Sequence, residues 1–375
     1  METPAKRKVI VVISNVDKAV GFEWLVENID HSRFDLSFIL LNDRPSHLAK
    51  YLEEKNVQVR ELEFNSKKDI PRLVWKLRTI FRSERPDVVH THLFAANIIA
   101  QTAARLTGVR KRIYTRHSSN ENRRYYNKQW IDRVVNRLAT HIIAISENVR
   151  NVLIKEEDVP PSKIHLLHHG FDLKLFDNVS EERIAKLKSE YDPDNRRPVI
   201  GVIARYSHWK GIQFAIPAFE KLLNGQPNAL LILANAKRGD YAEEIAQLLK
   251  TLPEDSYREI EFEHDLFALY RLFDVYVHVP IDAELEAFGQ TYVEALASGI
   301  PSVFTLSGVA PEFIKHERNA LVVNFEDAEG TYLAVKRLLA DEPLRRQLVE
   351  NGRSDVAKVF SIATMIEKLQ VIYAE

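Results

Sequence analysis

Residues 274–305 read DVYVHVPIDAELEAFGQTYVEALASGIPSVFT, and the order of their apolar and polar runs decides the fold. DVYVHV (274–279) is a short, β-branched apolar run that Pro280 ends, as a buried strand requires. A loop occupies 281–288, and from about Gly289 the segment TYVEALAS reads as a helix that Gly299 and Pro301 stop. PSVFT (301–305) is the next strand. Strand, helix and strand in about 30 residues make a βαβ unit, whose strands are parallel and covered on both faces. Glu286 therefore falls in the loop and Glu294 in the helix, so they are not an acid and base on one helix face. They are placed to reach different parts of one extended ligand, with Gly289 allowing close backbone approach between them.

Working outward, the same alternation fills the chain. Strand candidates in the first half are 8–14, 35–41, 57–62, 87–92, 112–115, 141–146 and 163–168. In the second half they are 198–204, 229–234, 259–263, 274–279, 301–305 and 320–324. Nearly all-apolar strands alternating with amphipathic stretches predict a doubly wound α/β sheet, once in each half. Residues 176–198 are polar and are expected to be the linker, giving domains over 1–178 and 190–355. The last segment, 356–375, has helical spacing of Ile362, Met365, Ile366 and Leu369 and is expected to cross back to the first domain. Two open parallel sheets leave a cleft, with ligands at the carboxyl ends of strands.

By that rule the strand before Arg205 is informative. It runs into RYSHWKG (205–211), and a helix opens at Ile212, so Arg205 and Lys210 stand in a strand-to-helix loop suited to a phosphate or diphosphate. A solvated basic loop would have the same composition. Neither GxGxxG nor GxxxxGK[ST] occurs, which argues against a dinucleotide oxidoreductase and a P-loop NTPase.

With 375 residues and 45% apolar composition the chain can bury two cores. It has no cysteine, which excludes disulfides, thiolate metal sites and cysteine nucleophiles and suits a reducing compartment. The apolar run after Lys8 is too short for a signal core or a span, so the expected location is cytoplasmic, or peripheral on the inner face of a membrane. The net charge of -1 divides unevenly, +8 over 1–180 and -9 over 181–375. Residues 101–150 hold 11 basic and 3 acidic residues interleaved with Tyr125, Tyr126 and Trp130. That mixture suits an anionic membrane surface or a charged acceptor, and equally a solvated helix face. Nothing in it resembles a nucleic-acid motif.

Arg205 and Lys210 in ARYSHWKG, then EAFGQTYVEALASGIPSV about eighty residues later, resemble the retaining GT-B glycosyltransferases of family 4 (glycosyl transferases group 1). In the first half DVVHTHLFAAN, TRH (115–117), AISENVRNVL and HHGFD fit more loosely. The resemblance implies two Rossmann-like domains and transfer of a hexose or N-acetylhexosamine from a nucleotide-diphosphate sugar, UDP-linked in preference to GDP-linked. The basic, aromatic first half makes a glycan or lipid-linked molecule in cell-surface polysaccharide or glycolipid synthesis the expected acceptor, and the resemblance implies no metal or other cofactor. It makes Arg205 and Lys210 the clamps on the diphosphate, Glu294 the ribose contact and Glu286 the contact to the donor sugar. Backbone around Phe288, Gly289 and Gln290 helps hold sugar and phosphate, His117 reaches the sugar, and Gly21 lies in the glycine-rich loop after the first strand. Lys210→Ala is then expected to lose turnover with the fold intact.

The chain departs from that pattern at Val20, which stands where a first glycine is usual, and at NAKRG (235–239), where a Gly-x-Gly turn is common. Ile281 and Asp282 follow Pro280 where Ser is usual. Asp192-Pro193-Asp194 fits a metal-binding D-x-D but sits in the linker, after a charged helix. His90 and His92 share a strand face with no third ligand in view, and His168 and His169 read as turn or interdomain residues. Arg123 and Arg124 read as surface or acceptor-facing charges. A sugar-nucleotide epimerase of GT-B shape and a non-catalytic sugar-nucleotide-binding protein are the alternative functions.

Overall fold

The structure is a computed structural model that describes residues 6–119 and 129–375. The chain divides into two compact units: 1–171 with 362–375, and 172–361.

The first unit is built on seven strands: β1 (Arg7–Ser14), β2 (Phe34–Asn42), β3 (Gln58–Glu63), β4 (Val88–His92), β5 (Lys111–Arg116), β6 (His141–Ala144) and β7 (Ile164–Leu166). Their order is β3-β2-β1-β4-β5-β6-β7, and the pairs are parallel. An apolar run such as VIVVI in β1 follows from burial on both faces. Val9, Val11 and Ile13 enter one core with Leu25, Leu48 and Leu369, whereas Ile10 and Val12 enter another with Leu73, Phe81 and Ile99.

In the second unit β8 (Val199–Ile203), β9 (Leu230–Ala234), β10 (Tyr257–Ile260), β11 (Val275–His278), β12 (Ser302–Phe304) and β13 (Leu321–Val322) form a sheet of order β10-β9-β8-β11-β12-β13. Its pairs are parallel too. Each sheet reverses direction of winding beside its first strand, between β1 and β4 and between β8 and β11, which is where α/β sheets hold ligands.

Two details differ from the sequence reading. The polar segment 176–198 is largely helical, over Lys174–Asp177 and Glu181–Tyr191, and belongs to the second unit. Arg183 makes a two-pronged bond to Asp265 at 2.6 and 2.7 Å, Tyr191 donates to Glu263, and Leu187 is buried, so a low apolar content there reflects fastening by polar groups. EIEFE alternates like a strand, yet β10 ends at Ile260 and Phe262 is 51% exposed. The helix Ile362–Ala374 counts with the first unit, where Ile366, Leu369 and Ile372 join the β1 core.

Candidate active site

The second unit brings the loops after β8 and β11 together because those strands are neighbours. Gly211 makes the approach possible. Its φ is +75°, and a Cβ there would collide with the Val279 carbonyl. Ile281 N–H donates to the Trp209 carbonyl at 3.1 Å and joins the loops directly. Lys210 closes a 3₁₀ turn (His208–Lys210) just ahead of helix Ile212–Leu223, and its Nζ donates to Glu286 Oε1 at 2.5 Å. The same ammonium lies 4.3 Å from the Trp209 ring centroid. Arg205 is exposed and makes no ion pair among the described residues.

Glu286 is 5% exposed. Burial alone would raise its pKa, but the Lys210 charge more than offsets this and holds it down at about 2. His278 ends β11, is fully buried, and has Nε2 3.4 Å from Glu286 Oε1 without the alignment of a hydrogen bond. Burial lowers the pKa of this imidazole, with Glu286 pulling the other way, so it is neutral at pH 7.

Glu294 lies in the helix Gln290–Ser298 and accepts from the Tyr270 hydroxyl at 2.9 Å. Burial raises its pKa to about 6. Gly289 caps this helix with φ +84°, and a Cβ there would come within 2.6 Å of the Tyr292 ring. Gln290 is exposed at the first turn, whereas Phe288 is buried against Phe360, so its side chain belongs to the core. After β9, Asn235 and Lys237 adopt left-handed φ of 61° and 59°, and Arg238 lies 5.5 Å over the exposed Phe262 ring.

The first unit gathers imidazoles at the carboxyl ends of β4 and β5. His90 bonds Tyr373 Oη at 2.7 Å through Nδ1 and Thr115 Oγ1 at 2.8 Å through Nε2. His92 Nδ1 lies 3.0 Å from His117 Nε2, and His117 stacks on His169 with centroids 5.6 Å apart. Burial lowers all four pKa values: to about 3 for His90, to about 4 for His169, and well below 6.5 for His92 and His117. The row is neutral at pH 7.

Residues 184–355 match the family described as glycosyl transferases group 1, and residues 25–175 match glycosyltransferase family 4. The chain belongs to the GT-B glycosyltransferases of family 4. It is 26% identical over 233 residues to an uncharacterised glycosyltransferase of Methanocaldococcus jannaschii, a match that spans 62% of this chain and 59% of that one. It is 25% identical over 309 residues to the capsular polysaccharide biosynthesis glycosyltransferase CapM of Staphylococcus aureus, covering 80% of this chain and 79% of that one. Its fold is shared with HepE of Anabaena, solved in complex with UDP-glucose, at a TM-score of 0.80 and 20% identity over 98% of this chain and 100% of that one.

In this glycosyltransferase the Lys210 and Glu286 side chains read separately in the sequence are one ion pair. Gly21 is not in a loop: it is the second residue of helix Val20–Asn28, exposed, with open space where a Cβ would be. The loop ahead of it is NVDKA (15–19), which holds no glycine. Asp192 of D-x-D accepts from Arg196 N–H and from Arg197 at 2.8 Å each, so it fastens the end of a helix. His169 lies against His117 and is not a mere turn residue. His278, missed in the sequence, was signalled by a basic residue ending an otherwise apolar strand. Arg123, Arg124, Tyr125 and Tyr126 lie outside the described residues.

Proposed function

We propose that this glycosyltransferase is a retaining, metal-independent hexosyltransferase. It moves a hexose or N-acetylhexosamine from a UDP-sugar, in preference to a GDP-sugar, to a glycan or lipid-linked acceptor in cell-surface polysaccharide or glycolipid synthesis. The observation that carries this reading is the Lys210–Glu286 pair at the switch point of the second sheet, in the same loop after β8 as Arg205, which makes no ion pair among the described residues. An ammonium has three donors, and Glu286 takes one, which leaves others for a phosphate. As the bond from the sugar to the diphosphate breaks, Lys210 and Arg205 offset the charge gathering on the leaving oxygen.

Glu286, with a pKa of about 2, is a weak nucleophile, which supports its role as acceptor of hydrogen bonds from donor-sugar hydroxyls. The retained configuration then comes from same-face attack. The acceptor oxygen bonds the anomeric carbon as the diphosphate departs, and the acceptor proton passes to the departing phosphate oxygen. Glu294, one oxygen of which is fixed by Tyr270, accepts from the ribose hydroxyls, and the helix start at Gly289 and Gln290 turns N–H groups to the phosphates. His117, neutral in its row, contacts the donor sugar.

The UDP-glucose complex of HepE supports the donor class, and the capsular role of CapM supports the acceptor class. Asp192 already bonded within its own unit supports independence from a D-x-D metal. On helix Gln129–Leu138, Trp130, Arg133, Val134 and Arg137 are exposed on one face, which supports approach to an anionic membrane. No helix among the described residues is long and apolar enough to cross one.

Thermal unfolding with UDP-glucose, UDP-N-acetylglucosamine and GDP-mannose tests the donor. Product anomers read by NMR in the presence of chelator test the rest. The expected result is the largest shift with a UDP-sugar and a product of the donor's own anomeric configuration. An inverted product, or rearranged sugar nucleotide made without acceptor, would overturn the reading.

A further inference from the structure

At the amino-terminal end of β6 in the first sheet, a second histidine cluster lies apart from the imidazoles at the carboxyl ends of β4 and β5. His141 is the first residue of β6. His165 on β7 pairs in register with Ile143 and so shares the face of His141 by the two-residue period. Their rings are 5.3 Å apart and 27° from parallel. Glu375, just past helix Ile362–Ala374, brings a carboxylate, and one ligand atom from each of the three lies within 4.8 Å of the others.

The proton positions favour ligation. Thr140 Oγ1 accepts from Arg112 N–H, donates to the Arg112 carbonyl, and lies 2.8 Å from His141 Nδ1. The assignment that makes all three bonds puts the proton on Nδ1 and leaves the lone pair on Nε2. His165 Nε2 is buried with no hydrogen-bond partner.

We propose that His141, His165 and Glu375 bind a nitrogen-seeking divalent cation, Zn²⁺ above all. It would fasten the end of helix Ile362–Ala374 to strands β6 and β7. The neighbouring charges set the choice of metal. Lys111 and Lys163 act on His141, and Lys111 also faces Glu375, so a single carboxylate among cations is a poor site for Mg²⁺ or Ca²⁺. Two imidazoles and one carboxylate suit Zn²⁺, with a fourth position for water.

The test uses the full chain without a histidine tag, stripped with chelator and titrated with ZnCl₂ or MgCl₂ alone. Calorimetry should show one saturable Zn²⁺ equivalent, and hydrogen exchange over 366–374 should slow on binding. His165→Gln and Glu375→Gln should each weaken binding at least about tenfold. Glu375 is exposed, so its variant tests the site without endangering the fold. His92→Gln should bind Zn²⁺ as the parent does. No saturable binding, equal binding of Mg²⁺, or undiminished Zn²⁺ binding by both ligand variants would overturn the proposal.

Discussion

Replacing Lys210 by methionine should cost this enzyme stability as well as activity. The Glu286 carboxyl has a pKa of about 2 against an ordinary 4.5. At about 1.4 kcal/mol per unit, that depression corresponds to roughly 3 kcal/mol of stability at pH 7. Because the folded pKa is the lower one, the contribution is whole above pH 4.5 and is lost as pH falls toward 2. Lys210→Met removes the main favourable charge and leaves a carboxylate that is 5% exposed, so a loss of about 3–5 kcal/mol is expected. Glu286→Gln keeps an amide oxygen that can accept from the Lys210 ammonium and should cost only about 1–2 kcal/mol. Adding Glu286→Gln to Lys210→Met should therefore restore about 2 kcal/mol. Urea unfolding at pH 7, with hydrogen exchange read over 286–298, measures each term. Wild-type stability in Lys210→Met, or no recovery in the double variant, would refute the reasoning. Lys210→Ala breaks the same ion pair and should carry a similar loss, so the double variant is the better background for judging catalysis.

Other outcomes follow from the same geometry. Glu294 has its pKa raised from 4.5 to about 6, so its charge opposes folding above pH 6, and Glu294→Gln should gain up to about 2 kcal/mol there while weakening nucleotide binding about tenfold. The imidazole row titrates in the opposite sense: His90 and His169 fall from 6.5 to about 3 and about 4, so the first unit should lose stability as pH drops below 6.5. Hydrogen exchange should then quicken in β4 and β5 at a higher pH than around Glu286, which holds until pH 4.5. Gly211→Ala should cost at least about 2 kcal/mol and lower donor affinity, as read by unfolding and calorimetry, because its φ of +75° and the Val279 carbonyl both oppose a Cβ.

The sheets were legible because strands buried on both faces leave uninterrupted apolar runs, as in VIVVI and LLILA. Glu286 in a loop and Glu294 in a helix were legible from Gly289, Gly299 and Pro301. The pairing of Lys210 with Glu286 was not, since they are 76 residues apart and meet through the adjacency of β8 and β11, which periodicity does not encode. The bond between His92 and His117 is of the same kind: His92 lies opposite Thr115 in the β4–β5 register, and His117 is two residues on. Phe262 was misread as strand because alternation cannot tell a pleat from a loop whose ring is held by Arg238.

The claim that Arg205 and Lys210 hold the donor diphosphate is tested most directly by calorimetry of UDP and of uridine on wild type and Arg205→Met. Arg205 is exposed and carries no ion pair among the described residues, so its loss should leave the fold alone. One charge-assisted contact of about 1.5–3 kcal/mol predicts UDP binding weakened roughly 10- to 150-fold, with uridine binding unchanged. Equal affinity of both proteins for UDP would contradict the account.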